Sequence, residues 1–337
     1  MPDTVPRSPS ILLRRCTAAG VVLVFAVIVA SAYLRLAQAG LGCADWPACY
    51  GATARLAGPG EEQSWLIHAM RLTHRIAAAG VGFVVIAIAA LCFGAARRHF
   101  GRMLIAGALV AFTIFLALLG RATPGAQLPA VTLGNLLGGM TMLGLMEWLR
   151  LHAAAVPHAS SHGGRGPWIW AGAALIAAQI ALGALLSANY AAPSCATFPD
   201  CHGEWWPSPA AVAMLDPWRV PEALPAASLI ADPARRGLHL MHRMGAFIVL
   251  IYWMTLAAIT LRNRGSGASA VALTGAVLIV QFAAGIATVL FELPLAMAVA
   301  HNALAALLVL AAVNAAFQSR SAEEASVSAS CQMVTSK

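Results

Sequence analysis

The sequence predicts an all-α membrane protein in which eight transmembrane helices form two four-helix bundles related as a parallel repeat. Three observations predict it. Of the 337 residues, 60% are hydrophobic and only 10% charged, whereas a soluble domain carries about 25% charged residues. Eight apolar runs approach the roughly 20 residues needed to cross a bilayer core of about 30 Å. Finally, the same landmarks recur in the same order in the two halves of the chain. The runs are continuous and not alternating, which excludes a strand barrel.

The runs lie at about 17–38, 66–93, 103–121, 128–149, 168–188, 237–261, 270–290 and 296–316. The first follows Arg14 and Arg15 in the manner of a signal peptide, but its apolar stretch is too long for one and Tyr33-Leu34-Arg35-Leu36 continues it. The second carries His74-Arg75 near its start, and Arg97, Arg98 and Arg102 separate it from the third. The fourth holds Gly134-Asn135 near its start and Glu147 near its end; Arg150 and Arg165 precede the fifth. His242-Arg243 lies in the sixth, Arg262 and Arg264 precede the seventh, and His301-Asn302 lies in the eighth. These basic clusters fall on one side of an eight-span arrangement. Most acids, among them Asp45, Glu61, Asp200, Glu204 and Asp232, fall on the other. The positive-inside rule then places both termini in the cytoplasm and the long loops 39–65 and 189–235 outside, for a chain expected in the cell inner membrane. Arg121, Arg219, Arg235 and Arg236 are exceptions too few to reverse this. The net charge of +8 therefore records topology and does not point to nucleic acid. The Ser/Ala-rich stretch 318–337 is expected to be disordered.

LGCADWPACYG (41–51) matches PSCATFPDCHG (193–203), LTHRIAAAGVG (72–82) matches LMHRMGAFIVL (240–250), and LGNLLGGMTML (133–143) matches AHNALAALLVL (300–310). Three matched landmarks define an N-terminal half, 11–150, and a C-terminal half, 166–317. Four spans per half is an even number, so the halves share one orientation and are related by an axis along the membrane normal.

Cys43/Cys49 and Cys195/Cys201 lie in loops expected outside, where thiols oxidise. Each pair reads as a loop-stapling disulfide or as a redox-active one, with Cys43/Cys49 the better redox candidate; the spacing is wider than that of usual zinc sites. Among the histidines, those inside spans carry the weight, because an intramembrane ionisable group is expensive and marks function by default. His242 and His301 fall at matched depth in the sixth and eighth spans. Two neutral imidazoles facing each other across a bundle suit a low-spin heme iron. Arg75 and Arg243, each directly after a histidine, are placed to pair with heme propionates. His68, about six residues before His74, is a further axial or proton-transfer candidate.

RLAQAGLGCADWPACYG (35–51), His74-Arg75, His242-Arg243, SANYAAPSCATFPDCHGEWWP (187–207) and His301-Asn302 together resemble the heme A synthase family, over about 20–317. Members of that family oxidise a methyl group of heme O to the formyl group of heme A for cytochrome oxidase biogenesis. The resemblance implies a resident heme b on His242 and His301, with a substrate heme O bound near His74. It implies a heme O synthase and oxidase assembly proteins as partners, membrane lipid as surroundings, and an electron acceptor that the residues do not identify. The sequence departs from the family in the N-terminal half. Arg71 stands three residues before His74, where the family has a glutamate tied to catalysis, and Gly134 or Asn135 stands in place of the second histidine. A diverged, non-catalytic paralogue that carries heme or electrons, or assists oxidase assembly, is the alternative these departures leave open.

Overall fold

The computed structural model describes residues 11–39, 41, 61–94, 99–122, 128–154, 165–220, 226–263 and 267–335. Cys43 and Cys49 lie outside the described residues. Eight long helices are present: α1 (Ile11–Gln38), α2 (Glu61–Phe93), α3 (Phe100–Ala122), α4 (Pro129–Ala153), α5 (Gly166–Ala188), α6 (Pro233–Arg262), α7 (Ala268–Leu290) and α8 (Leu295–Thr335). All eight are long and apolar enough to span a bilayer, α8 through its Leu295–Ser319 stretch. The chain is a multi-pass membrane protein. In lipid every backbone N–H and C=O has to be satisfied within the segment, and helices do this.

Local chemistry sets the helix ends. Proline occupies the first turn of α4, α5 and α6, where a missing N–H costs nothing. The Asp232 carboxylate accepts from the Ala234 N–H as the α6 N-cap. Buried threonines turn their hydroxyls back onto their own helix: Thr17 onto the Leu13 carbonyl, Thr260 onto Leu256 and Thr274 onto Ala270. A hydroxyl in hydrocarbon is thereby satisfied without a partner helix.

The helices pack as two rings. α1 touches α2 and α4, and α3 touches the same two; likewise α5 touches α6 and α8, and α7 closes that ring between them. The halves join through α4 against α8, flanked by α1 on α8 and α4 on α5. This pairing maps onto itself when the halves are exchanged. One core holds Val85, Ile88, Leu109, Leu143 and Met146; the other holds Ile176, Val249, Trp253, Val271 and Leu278. Large apolar side chains such as Phe83, Ile86, Leu118 and Ile251 stay exposed, as lipid-facing positions require.

α8 is helical as far as Thr335. Alanine is the best helix former, and a helix already nucleated in the membrane propagates into such sequence at little cost. The exposed His152 ring meets Phe317 and Trp148, with centroids 4.9 and 6.0 Å away.

Between α5 and α6 the 189–232 loop includes 3-10 turns at Ala192–Ser194 and Pro209–Leu215 and a short helix at Ala226–Ala231. Cys195 and Cys201 are disulfide-bonded and buried, packed on Leu240. Arg235 lies beneath the loop, fully buried, and bonds the Asn189 carbonyl at 2.9 Å and the Asp232 carboxylate. The loop also reaches the other half, where its Pro217 carbonyl accepts from the Ala130 N–H of α4 at 2.7 Å.

Gly172 is one place where α5 and α6 approach closely. A Cβ there would lie 2.9 Å from Trp253 Cε2 and 3.0 Å from Tyr252 Cε1, and the indole N–H donates to the Gly172 carbonyl at 3.2 Å. Gly172→Val should destabilise the protein by about 1–3 kcal/mol, read as a lowered melting temperature of the detergent-solubilised protein. An unchanged melting temperature would mean that α5 and α6 are not held at this distance.

Candidate functional site

His242 and His301 each lie in the first half of their helix, on the side of the 189–232 loop. Both are surrounded by protein, yet each keeps accessible surface, as residues lining an internal space do. Each ring is held from the preceding helix of its hairpin. The Gln179 amide nitrogen on α5 lies 3.0 Å from His242 Nδ1 and 2.8 Å from the His242 carbonyl. The Gln281 amide nitrogen on α7 lies 3.1 Å from His301 Nε2. Rotation of a glutamine amide exchanges donor for acceptor, so these contacts serve either imidazole tautomer. The glutamine oxygens and His301 Nδ1 are buried with no hydrogen-bond partner.

One turn after each glutamine stands a glycine. A Cβ on Gly183 would lie 3.0 Å from His242 Cε1, and one on Gly285 would lie 3.1 Å from His301 Cε1. The α5 and α7 backbones thus admit the rings where any other residue would press on them. Gln-x-x-x-Gly therefore occurs twice, once on each helix that precedes a histidine helix, and sequence reasoning missed it. The signal was legible as QIALG (179–183) and QFAAG (281–285).

These residues fit an axially ligated iron. The two imidazoles are neighbours, each with one ring nitrogen engaged by an amide. Neighbouring glycines leave room. Among the described residues no group of three or more His, Cys, Asp or Glu could hold a bare metal ion.

The N-terminal half is built differently. His74 is half-buried on α2, while Arg71 and Arg75 are exposed, with no hydrogen-bond or ion-pair partner among the described residues. His68 is exposed as well. At Gly134, the repeat position of His301, a Cβ would lie 2.8 Å from Leu119 Cδ2 and 3.7 Å from Phe115 Cζ. Apolar side chains of α3 fill the place of a second imidazole. α3 contains no glutamine, and α1 has one only at its last residue, Gln38. Asn135 is half-buried beside Gly134. Glu147 is buried near the far end of α4 and pairs with Arg150, with both contacts at 2.6 Å.

The Arg243 guanidinium donates to the carbonyls of Cys195 and Thr197 at 2.8 Å and of Asp200 at 2.7 Å, and lies over the Phe198 ring. It clamps the disulfide loop onto α6. His239, three residues before His242, is buried near the Ala191 and Ala192 backbone of the loop. Arg35 on α1 was likewise missed. Its guanidinium donates to the Ser187 hydroxyl on α5, and to Asn302 Oδ1 on α8 at 3.3 Å.

The COX15-CtaA family, described as cytochrome oxidase assembly protein, matches residues 14–313. A protein from Shewanella oneidensis named heme A synthase is 32% identical over 306 residues, 85% of this chain and 90% of its own length. Another protein of that name, from Rhizorhabdus wittichii, is 25% identical over 86% of this chain and 89% of its own. A match of this extent, on a fold of eight membrane-spanning helices, places the chain in the COX15-CtaA family, the family of the heme A synthases.

Proposed function

We propose that this protein is a heme A synthase-type membrane oxidoreductase, acting on heme O in cytochrome oxidase biogenesis, with a resident heme b held by His242 and His301. The observation that carries this reading is the paired Gln-x-x-x-Gly support of the two imidazoles. It comes to bear on a chain whose relatives carry the name heme A synthase. A bound heme b would supply one-electron redox chemistry. The chain's own contributions are ligation by the two imidazoles, their orientation by Gln179 and Gln281, and exclusion of water by the clamped 189–232 loop. We place the substrate heme near His74, the protein in the cell inner membrane with both termini in the cytoplasm, and the loop outside. The halves are read as 11–150 for substrate and 166–317 for heme b.

Oxidation of a methyl to a formyl group takes up oxygen from water, passes its electrons to the unidentified acceptor, and releases protons that a neighbouring group has to accept. A guanidinium offers no basic site for such a proton. On this reading the reaction proceeds without a carboxylate at position 71, or slowly. The non-catalytic carrier reading is favoured by one observation, the filling of the Gly134 site by Leu119.

Expression beside a heme O synthase, followed by chromatography of extracted hemes, separates the readings: heme A supports the enzyme, and heme O alone supports the carrier. Arg71→Glu should raise heme A output about tenfold or more. Gly134→His should add to this only with Leu119→Ala, which clears the ring's place. Strong heme A production by the unmodified protein, unchanged by Arg71→Ala, would remove Arg71 from the site.

His242→Ala or His301→Ala should abolish the low-spin heme spectrum of the purified protein, while His74→Ala spares it. Loss of that spectrum in His74→Ala alone would assign the resident heme to the other half.

A further inference from the structure

Arg35 belongs to the N-terminal half, yet its guanidinium crosses into the C-terminal one. Both of its contacts there border the imidazole pair. Ser187 is one turn beyond Gly183, against which the His242 ring lies, and Asn302 directly follows His301. The Asn302 amide is itself fixed, because its nitrogen donates to the Ala298 carbonyl at 2.8 Å and so turns Oδ1 toward Arg35. In the register that aligns Cys43 with Cys195, Ser187 is the repeat mate of Arg35. In the register that aligns Gly134 with His301, Asn302 is the mate of Asn135. Repeat mates can touch only near the axis that relates the halves, so Arg35 is a cation at the seam between them, beside the C-terminal pair.

We propose that Arg35, held by Ser187 and Asn302, is the carboxylate-binding rim of the space between His242 and His301, and that it takes a propionate of the heme. The inference rests on the reading that this pair holds a heme. A porphyrin with carboxylate arms brings negative charge into a region of low dielectric, where an unpaired charge is costly. A guanidinium stays charged and offers a planar fork that matches a carboxylate. Arg243, the cation next to His242 in sequence, spends its fork on loop carbonyls. Arg35 comes from the other bundle to Ser187, one turn after Gly183, and to Asn302, which follows His301 in the chain. A serine hydroxyl beside it can rotate to donate to the same carboxylate. Because Arg35 comes from α1, heme binding in the C-terminal half would also tighten the seam between halves.

The test uses the full-length protein in detergent, loaded with hemin, with heme content per chain and midpoint potential as readouts. Arg35→Gln should weaken heme retention about tenfold or more, the loss expected for one charge-assisted hydrogen bond. It should also lower the midpoint potential of the heme that remains, because a nearby positive charge favours the reduced iron. Arg35→Lys should recover part of both. Unchanged retention and potential in Arg35→Gln would overturn the proposal. So would a lowered melting temperature of heme-free protein with an unchanged potential in the loaded fraction, which would make Arg35 a fastener between halves only. If Arg35→Gln does not accumulate, Ser187→Asp decides: a carboxylate there occupies the fork and should weaken hemin retention, and unchanged retention overturns the proposal. His242→Ala is run beside them. A full low-spin heme in that variant would sink the heme assignment itself, independently of the rim.

Discussion

An imidazole inside a bilayer has two nitrogens to satisfy and a ring to accommodate, and the C-terminal half is organised around meeting both demands for His242 and His301. A glutamine on the preceding helix engages one ring nitrogen, and a glycine one turn on lets the ring lie against backbone. Neither device works alone. Without the amide a buried polar atom costs about 1–3 kcal/mol, and without the glycine the helices would have to part. The pairing of α5 with α6 and of α7 with α8 follows from this, since each hairpin brings one Gln-x-x-x-Gly to one histidine.

The 189–232 loop depends on the same helices. Arg243 follows His242 on α6 and collects three carbonyls of the disulfide loop at 2.7–2.8 Å. The buried Cys195–Cys201 bridge closes that loop on itself. The loop and the imidazole therefore share one short stretch of helix, and movement of one is felt by the other. Burial of both sulfurs also favours the stapling role over redox exchange for this pair, because exchange requires access of an attacking thiolate.

The eight spans were legible from apolar run length, because membrane helices declare themselves locally. His242 and His301 drew attention in the sequence because a polar group at depth stands out against an apolar background. What sequence reading lost was orientation. Gln179 and Gln281 look like tolerated polar residues until the hairpins place them on the rings. Arg243 looked free until the loop folded over it. Arg35 was read as part of a motif, and nothing in its neighbours revealed that it meets its own repeat mate across the seam.

The two halves share a fold but not a site. Leu119 fills the place that an imidazole takes in the C-terminal half, and α3 offers no glutamine to hold one. The proposed function therefore rests on an asymmetry: on that reading one half would hold a bis-imidazole heme and the other would not. Near-infrared magnetic circular dichroism of the purified protein, combined with heme content per chain, tests it most directly. The account predicts one bis-imidazole low-spin heme per chain. Two such hemes, or one heme with a single histidine ligand, would contradict it.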